Sequence, residues 1–144
     1  MPIHILIFVV RRPGTTPEEF KTYMETKHIP LMMSISGPHF PYSHTRNYIA
    51  HHTEQASDEI LTGLQNNVPF DAMTKMGFQD EEHFARHMEV MNKPENTAAR
   101  ERDEDQFLDR KAIRIVRLSD VCQTKMEQKD LRHTSQQPPS VTHF

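Results

Sequence analysis

The sequence is short of several things that other function classes need. It has one cysteine, Cys122, in 144 residues, which excludes an internal disulfide framework and fits a reducing compartment. It has only four glycines, and no glycine-rich phosphate loop can be built from them, so no nucleotide cofactor is expected. The apolar run at the start, Ile3 to Val10, is eight residues long and interrupted by His4. That is too short to span a bilayer, and no small-residue cleavage site follows it. Net charge is −3 with no basic cluster, which argues against nucleic acid as a partner. No repeat or heptad is present. The expectation is a cytoplasmic protein that binds neither membrane nor nucleic acid.

What is present is more specific. Ten histidines and nine methionines stand in a chain that is only 35% hydrophobic; methionine at that level suits an adaptable core or pocket. Residues 1–120 read as one domain. Residues 121–144 are polar and include QQPPS, which describes a tail without stable structure.

Residues 3 to 11 form a strand with apolar side chains on both faces, so both faces need cover. Arg12-Pro13-Gly14 is a turn, and PEEFKTYMETKHIPL, from Pro17 to Leu31, reads as a helix. Thr15 or Thr16 caps it, Pro17 suits its first turn, and Glu18 and Glu19 complement its dipole. Its C-terminal end presents His28, and Pro30 is expected to push Ile29 away from helical geometry. An imidazole at a helix C-terminus is favoured in its protonated form, so His28 is a candidate acid; a surface histidine at a helix end is the alternative. Residues 43 to 52 read as a second strand, with His44, Arg46, Tyr48, Ala50 and His52 on one face. Asp58 to Leu64 could include a helical turn. Pro69 to Phe78 reads as a third strand, with Gly77 expected to weaken or bulge its end. A helix follows from Asp80, a charged one from Thr97 to Arg110, and a last strand from 112 to 118. The order is the βαββαβ arrangement of an α+β, ferredoxin-like domain, an antiparallel sheet with helices on one face. Its bare face is expected to meet a second copy, giving a homodimer.

The residues LIFVVRRPGTTPEEFKTYMETKHIPLM, GPHFPYSHTRNYI, PFDAMTKMGFQDEEHFARHM and RERDEDQFLDR together resemble the EthD family across residues 4 to 118. GP-x-FP-x-SHTR-x-YI and DE-x-x-FLDR resemble its fungal branch, found beside polyketide synthases. The resemblance implies a dimeric α+β barrel. It also implies a cofactor-free lyase acting on aromatic polyketides in secondary metabolite biosynthesis, most directly a decarboxylase. A cyclase or dehydratase using the same pocket, or a non-catalytic dimeric binding protein, remains open. Lys75 stands where relatives usually have an acidic residue, and Gly77 where they often have an aromatic one.

Decarboxylation of a β-keto or ortho-hydroxy aromatic acid needs a proton donor and a group that orients the carboxylate. His28 is the candidate acid. His44, His52 and Tyr48 could hold phenolic oxygens, Arg46 could clamp a carboxylate, and Asp71 could fix an imidazole tautomer. Phe8, Met24, Phe70 and Met76 could sandwich a flat ring. Each has an ordinary alternative: an ion pair for Arg46, core packing for Tyr48 and the Phe and Met positions, a local pair for Asp71. His83 and His87 have a zinc-chelating i, i+4 spacing but no third ligand, so no metal is expected.

Overall fold

The computed structural model describes residues 1–52 and 57–128. β1, Ile3–Val9, is an inner strand whose β-branched residues at alternate positions turn to one side: Ile3, Ile5 and Val9 are each 5% exposed or less, and Ile7 is partly buried. It ends before the expected Arg11, which instead makes a single bridge to Leu108. Gly14, at φ +86°, closes the following turn. α1, Pro17–Tyr23, starts with a capping box, Thr16 and Glu19 each accepting the other's backbone N–H at 3.1 Å. Two N–H groups that helix geometry would otherwise orphan are thereby satisfied.

This helix does not end at Leu31. Met24–His28 form a π-helical turn, and α2, Ile29–Ser36, continues the same rod until Gly37 at φ +52°. Ile29 keeps helical angles, φ −61° and ψ −46°, and donates its N–H to Met24 O rather than one residue later. Pro30 falls in the first turn of α2, where the shifted register of the wide turn accommodates a residue with no N–H to give. His28 is therefore inside a continuous helix, and the dipole argument for its protonated form does not apply.

β2, Ser43–Tyr48, is shorter than the 43 to 52 expected, and β3, Ala72–Phe78, begins after Pro69 and Phe70. No helix forms over Asp58 to Leu64. Gly77 does not bulge β3: it pairs with both His4 and Ser43 in register. A Cβ there would sit 2.5 Å from Ser43 Oγ, so close strand approach explains the glycine. α3, Glu81–Met91, is capped by Asp80, whose carboxylate accepts the His83 N–H at 2.8 Å. α4 is Pro94–Glu104, three residues earlier than expected because Pro94 starts it rather than merely ending α3. β4, Arg114–Arg117, is an exposed edge.

The four strands lie in the order β2-β3-β1-β4, every neighbouring pair antiparallel. With the α1–α2 rod, α3 and α4 on one face, this is the expected ferredoxin-like α+β fold. Register puts His44, Met76, Ile5 and Arg117 in one row across the helix-covered face, and Arg46, Thr74, Ile7 and Ile115 in the next. Two apolar clusters hold the layers together. One joins Val9, Phe20, Met24, Ile29, Ala72, Phe107 and Leu108; the other joins Ile3, Ile5 and Phe78. Residues 121–128 are exposed, and the rest of the tail anticipated from the sequence, 129–144, lies outside the described residues.

Candidate functional site

Between the two clusters the layers do not close, and a cavity of about 440 Å³ remains. That is room for a small ligand of a few fused rings. Its walls are mostly apolar, with Ile5, Ile7, Met24, Met32, Met76 and Met91 among them. Three histidines from three different elements line it: His28 from the π turn, His44 from β2 and His87 from α3.

His28 Nδ1 lies 2.6 Å from Asp103 Oδ2 on α4, and the two side chains are 12% and 9% exposed. The other carboxylate oxygen of Asp103 accepts the Tyr23 hydroxyl at 2.8 Å. Burial, and then the hydrogen bond to Asp103, pushes the Tyr23 phenol up to about 12, so it remains a donor. Phe107 packs against both partners, its ring 4.6 Å from Tyr23 and 5.1 Å from His28. A π turn positions this group because it brings Met24, Glu25 and His28 to the sheet side over one widened turn.

His44 stacks on Phe40 with ring centroids 5.5 Å apart. Arg46 Nη1 donates to His44 Nδ1 at 3.1 Å, while Arg46 Nε and Nη2 reach the two oxygens of Glu25 at 2.7 and 2.8 Å. Tyr48 Oη donates to Glu25 as well. Burial first, then the nearby charges of Arg46 and His28, pulls His44 down to about 4. Its imidazole is neutral at physiological pH. The guanidinium holds Glu25 below the usual carboxylate range, and burial beside Glu25 pushes the Tyr48 phenol well up.

His87 Nδ1 bonds to His39 O at 3.1 Å, and burial lowers its pKa. Its neighbour His83 is occupied on both nitrogens, by the Gln79 N–H and by Phe40 O. The pair is therefore a brace between α3 and the 39–40 segment, and among the described residues no group of three metal-binding side chains occurs. Arg100 and Glu104 complete the wall with a 3.1 Å ion pair, burial raising the Glu104 carboxyl.

Of the residues singled out in the sequence, His28, His44, Met24 and Met76 converge on this cavity. Arg46 is one bond behind His44, but Glu25 and His44 occupy its guanidinium, so it is not a free carboxylate clamp. Tyr48 and Asp71 line a smaller cleft of about 330 Å³ beside Phe20 and His51. Asp71 meets no imidazole of the cavity. It accepts the Arg11 N–H at 2.8 Å and Nε at 3.0 Å, and so ties the start of β3 to the end of β1. His52 falls beyond the end of β2 and is exposed. Phe8 and Phe70 pack edge to face at 5.0 Å, with Phe8 on the opposite face of the sheet from the cavity residues, so they cannot sandwich its ligand. Sequence reasoning missed Asp103, Glu25, Arg100 and Glu104; it put His87 on the buried side of its helix but weighed it only as a metal ligand. For Asp103 a signal existed, since it opens the DE-x-x-FLDR stretch, but nothing local ties it to a histidine 75 positions away.

Comparison with known proteins agrees with this architecture. The EthD domain family model matches residues 12–111. Among solved structures, an ethyl tert-butyl ether d (EthD) family protein from Bacillus halodurans aligns with a TM-score of 0.52 and 18% identity, over 83% of this chain and 99% of that one. An EthD-like protein from Ralstonia eutropha aligns with a TM-score of 0.52 and 15% identity, over 81% and 87% respectively. A protein from Arabidopsis thaliana aligns at 0.50 with 10% identity, over 85% and 99%. At these identities the likeness is one of fold. No curated protein sequence matches the chain.

Proposed function

We propose that this chain, which belongs to the EthD domain family, is a cofactor-independent lyase that decarboxylates a flat aromatic or β-keto acid. The observation that carries the reading is the His28–Asp103 pair opening on an apolar cavity that also holds His44. Loss of carbon dioxide breaks one carbon–carbon bond and leaves its electron pair on the ring or on a β-carbonyl oxygen. A protonated His28 then delivers its proton to carbon, and Asp103 stabilises the imidazolium before transfer. His44, on the same cavity wall, is the donor for the substrate oxygen that gains charge. Arg100, paired with Glu104, and Arg117 are cations on the wall, and the methionines accept a planar ring. The resemblance of SHTR-x-YI and DE-x-x-FLDR to fungal sequences beside polyketide synthases supports an aromatic polyketide as substrate, in a cytoplasmic pathway.

The same proposal includes a homodimer. The sheet face opposite the cavity carries Leu6, Phe8 and Met73 beside His4 and Lys75, and a second copy of the same sheet would cover these side chains. Among the described residues no helix is long and apolar enough to cross a membrane.

The test is mass spectrometry of purified protein incubated with a polycyclic aromatic carboxylic acid, beside His28→Ala and a no-enzyme control. Loss of the mass of carbon dioxide above background, abolished in His28→Ala, supports the reading. Equal rates in all three remove it for that substrate, and loss of water instead moves the assignment to dehydration or cyclisation.

A further inference from the structure

The hydrogen-bond partners of His28 and His44 fix their tautomers, and they fix them oppositely. A guanidinium has donors only, and Arg46 Nη1, with two hydrogens, lies 3.1 Å from both His44 O and His44 Nδ1, which assigns Nδ1 as an acceptor. The ring proton of His44 is then on Nε2. Two contacts to Glu25 hold Arg46 in place, and Tyr48 donates to the same carboxylate. A carboxylate has acceptors only, so His28 Nδ1, 2.6 Å from Asp103, carries the hydrogen. Neutral His28 then has its lone pair on Nε2. Both rings line one cavity. One therefore offers a proton acceptor and the other a neutral N–H donor, each oriented by a charged partner behind it.

That pairing is the equipment for making an enolate. We propose that the cavity enolises ketones, His28 Nε2 taking the proton from the carbon beside the carbonyl and His44 Nε2–H holding the oxygen, with no carboxylate required of the ligand. The carbon–hydrogen electron pair becomes the new carbon–carbon double bond, and the carbonyl π pair moves onto oxygen. The proton rests on His28 as imidazolium, exchanges with solvent, and returns to carbon in the reverse step. No oxidant, reductant or co-reactant is consumed. The inference rests on the same reading of His28 as the proton-transfer group, but extends the site to aromatic ketones, including the decarboxylated product itself. Arg46 and Glu25 are positioning residues in this scheme, since they reach the ligand only through His44.

The experiment is proton NMR of 1-tetralone, an aromatic ketone without a carboxylate, in deuterated buffer near neutrality, following loss of the signal beside the carbonyl. Wild type is expected to exchange it above the buffer rate, and His28→Ala to return it to the buffer rate. His44→Phe retains a ring to stack on Phe40 but has no donor, and should lose on the order of 10²-fold. His44→Gln, which keeps an amide N–H, should recover part of that. Arg46→Met should exchange slowly and move the His44 titration in its pH profile upward from about 4. Circular dichroism confirms that each variant is folded. Wild-type exchange no faster than buffer, or equal rates in wild type and folded His44→Phe, would overturn the proposal. Carbon dioxide loss from the acid without exchange of the ketone overturns it while leaving the decarboxylase standing. Exchange without carbon dioxide loss supports it and removes the decarboxylase.

Discussion

At the scale of single residues the account depends on what stands behind each imidazole. Asp103 keeps the Nδ1 hydrogen of His28 engaged at 2.6 Å and receives Tyr23 on its other oxygen. Asp103→Asn preserves volume but offers an amide that can present its N–H₂ to the ring, which invites the wrong tautomer. Turnover should fall on the order of 10²–10³-fold with little change in KM, as steady-state kinetics would show. His44 makes a different prediction, in pH. Its folded pKa is about 4 against an ordinary 6.5, so between those values the unfolded chain binds a proton that the folded chain refuses. Stability contributed by neutral His44 is complete above pH 6.5, is lost as pH falls through the window, and levels off below it, a change of about 3 kcal/mol. Urea unfolding at several pH values should show this slope in wild type and a shallower one in His44→Phe. Equal slopes would mean that burial and the neighbouring Arg46 do not act on His44 as described. At this scale the sequence was half legible. His28, His44, Met24 and Met76 could be selected from residue type and face, whereas Asp71 was assigned to an imidazole and instead serves Arg11. Nothing in periodicity reports which distant carboxylate a histidine meets.

At the scale of elements, the π turn and the close approach of β2 to β3 do the positioning. The cap at Thr16, the helix start at Asp80 and the first strand were all readable, because each is a local rule satisfied within a few residues. The π turn was not. Pro30 is an ordinary stop signal, and only the tertiary packing of Met24 and Ile29, both buried in one cluster, makes continuation past it favourable. Gly77 was read as a weak point and is the reverse. With a Cβ 2.5 Å from Ser43 Oγ and 3.0 Å from the Tyr42 ring, Gly77→Ala should destabilise the fold by about 1–3 kcal/mol in thermal or urea unfolding. Ser43→Ala in the same chain, which removes the nearest atom, should recover part of the loss. An unchanged midpoint for Gly77→Ala would show that the two strands have slack at this point. The Glu25–Arg46–Tyr48 link joins the π turn to β2, so its integrity and the placement of His44 are one property.

At the scale of the whole molecule, the fold class was legible because strand and helix order leaves few antiparallel topologies to choose among, and β2-β3-β1-β4 is the one observed. The cavity was not legible, since it is what two apolar clusters leave unfilled rather than anything a segment encodes. The proposed dimer belongs to this scale as well. Phe8→Glu places a charge in the middle of the face opposite the cavity, and sedimentation should show a shift to monomer with the fold retained; a monomeric wild type would remove the dimer from the account. The central claim is that one cavity holds a base and a neutral donor set by opposite partners. It is tested most directly by nitrogen-15 NMR of histidine-labelled protein from neutral to mildly acidic pH. The account predicts His28 with its hydrogen on Nδ1, and His44 with its hydrogen on Nε2 and still neutral well below the ordinary histidine range. Finding both rings in the same tautomer, or His44 titrating near 6.5, would contradict it.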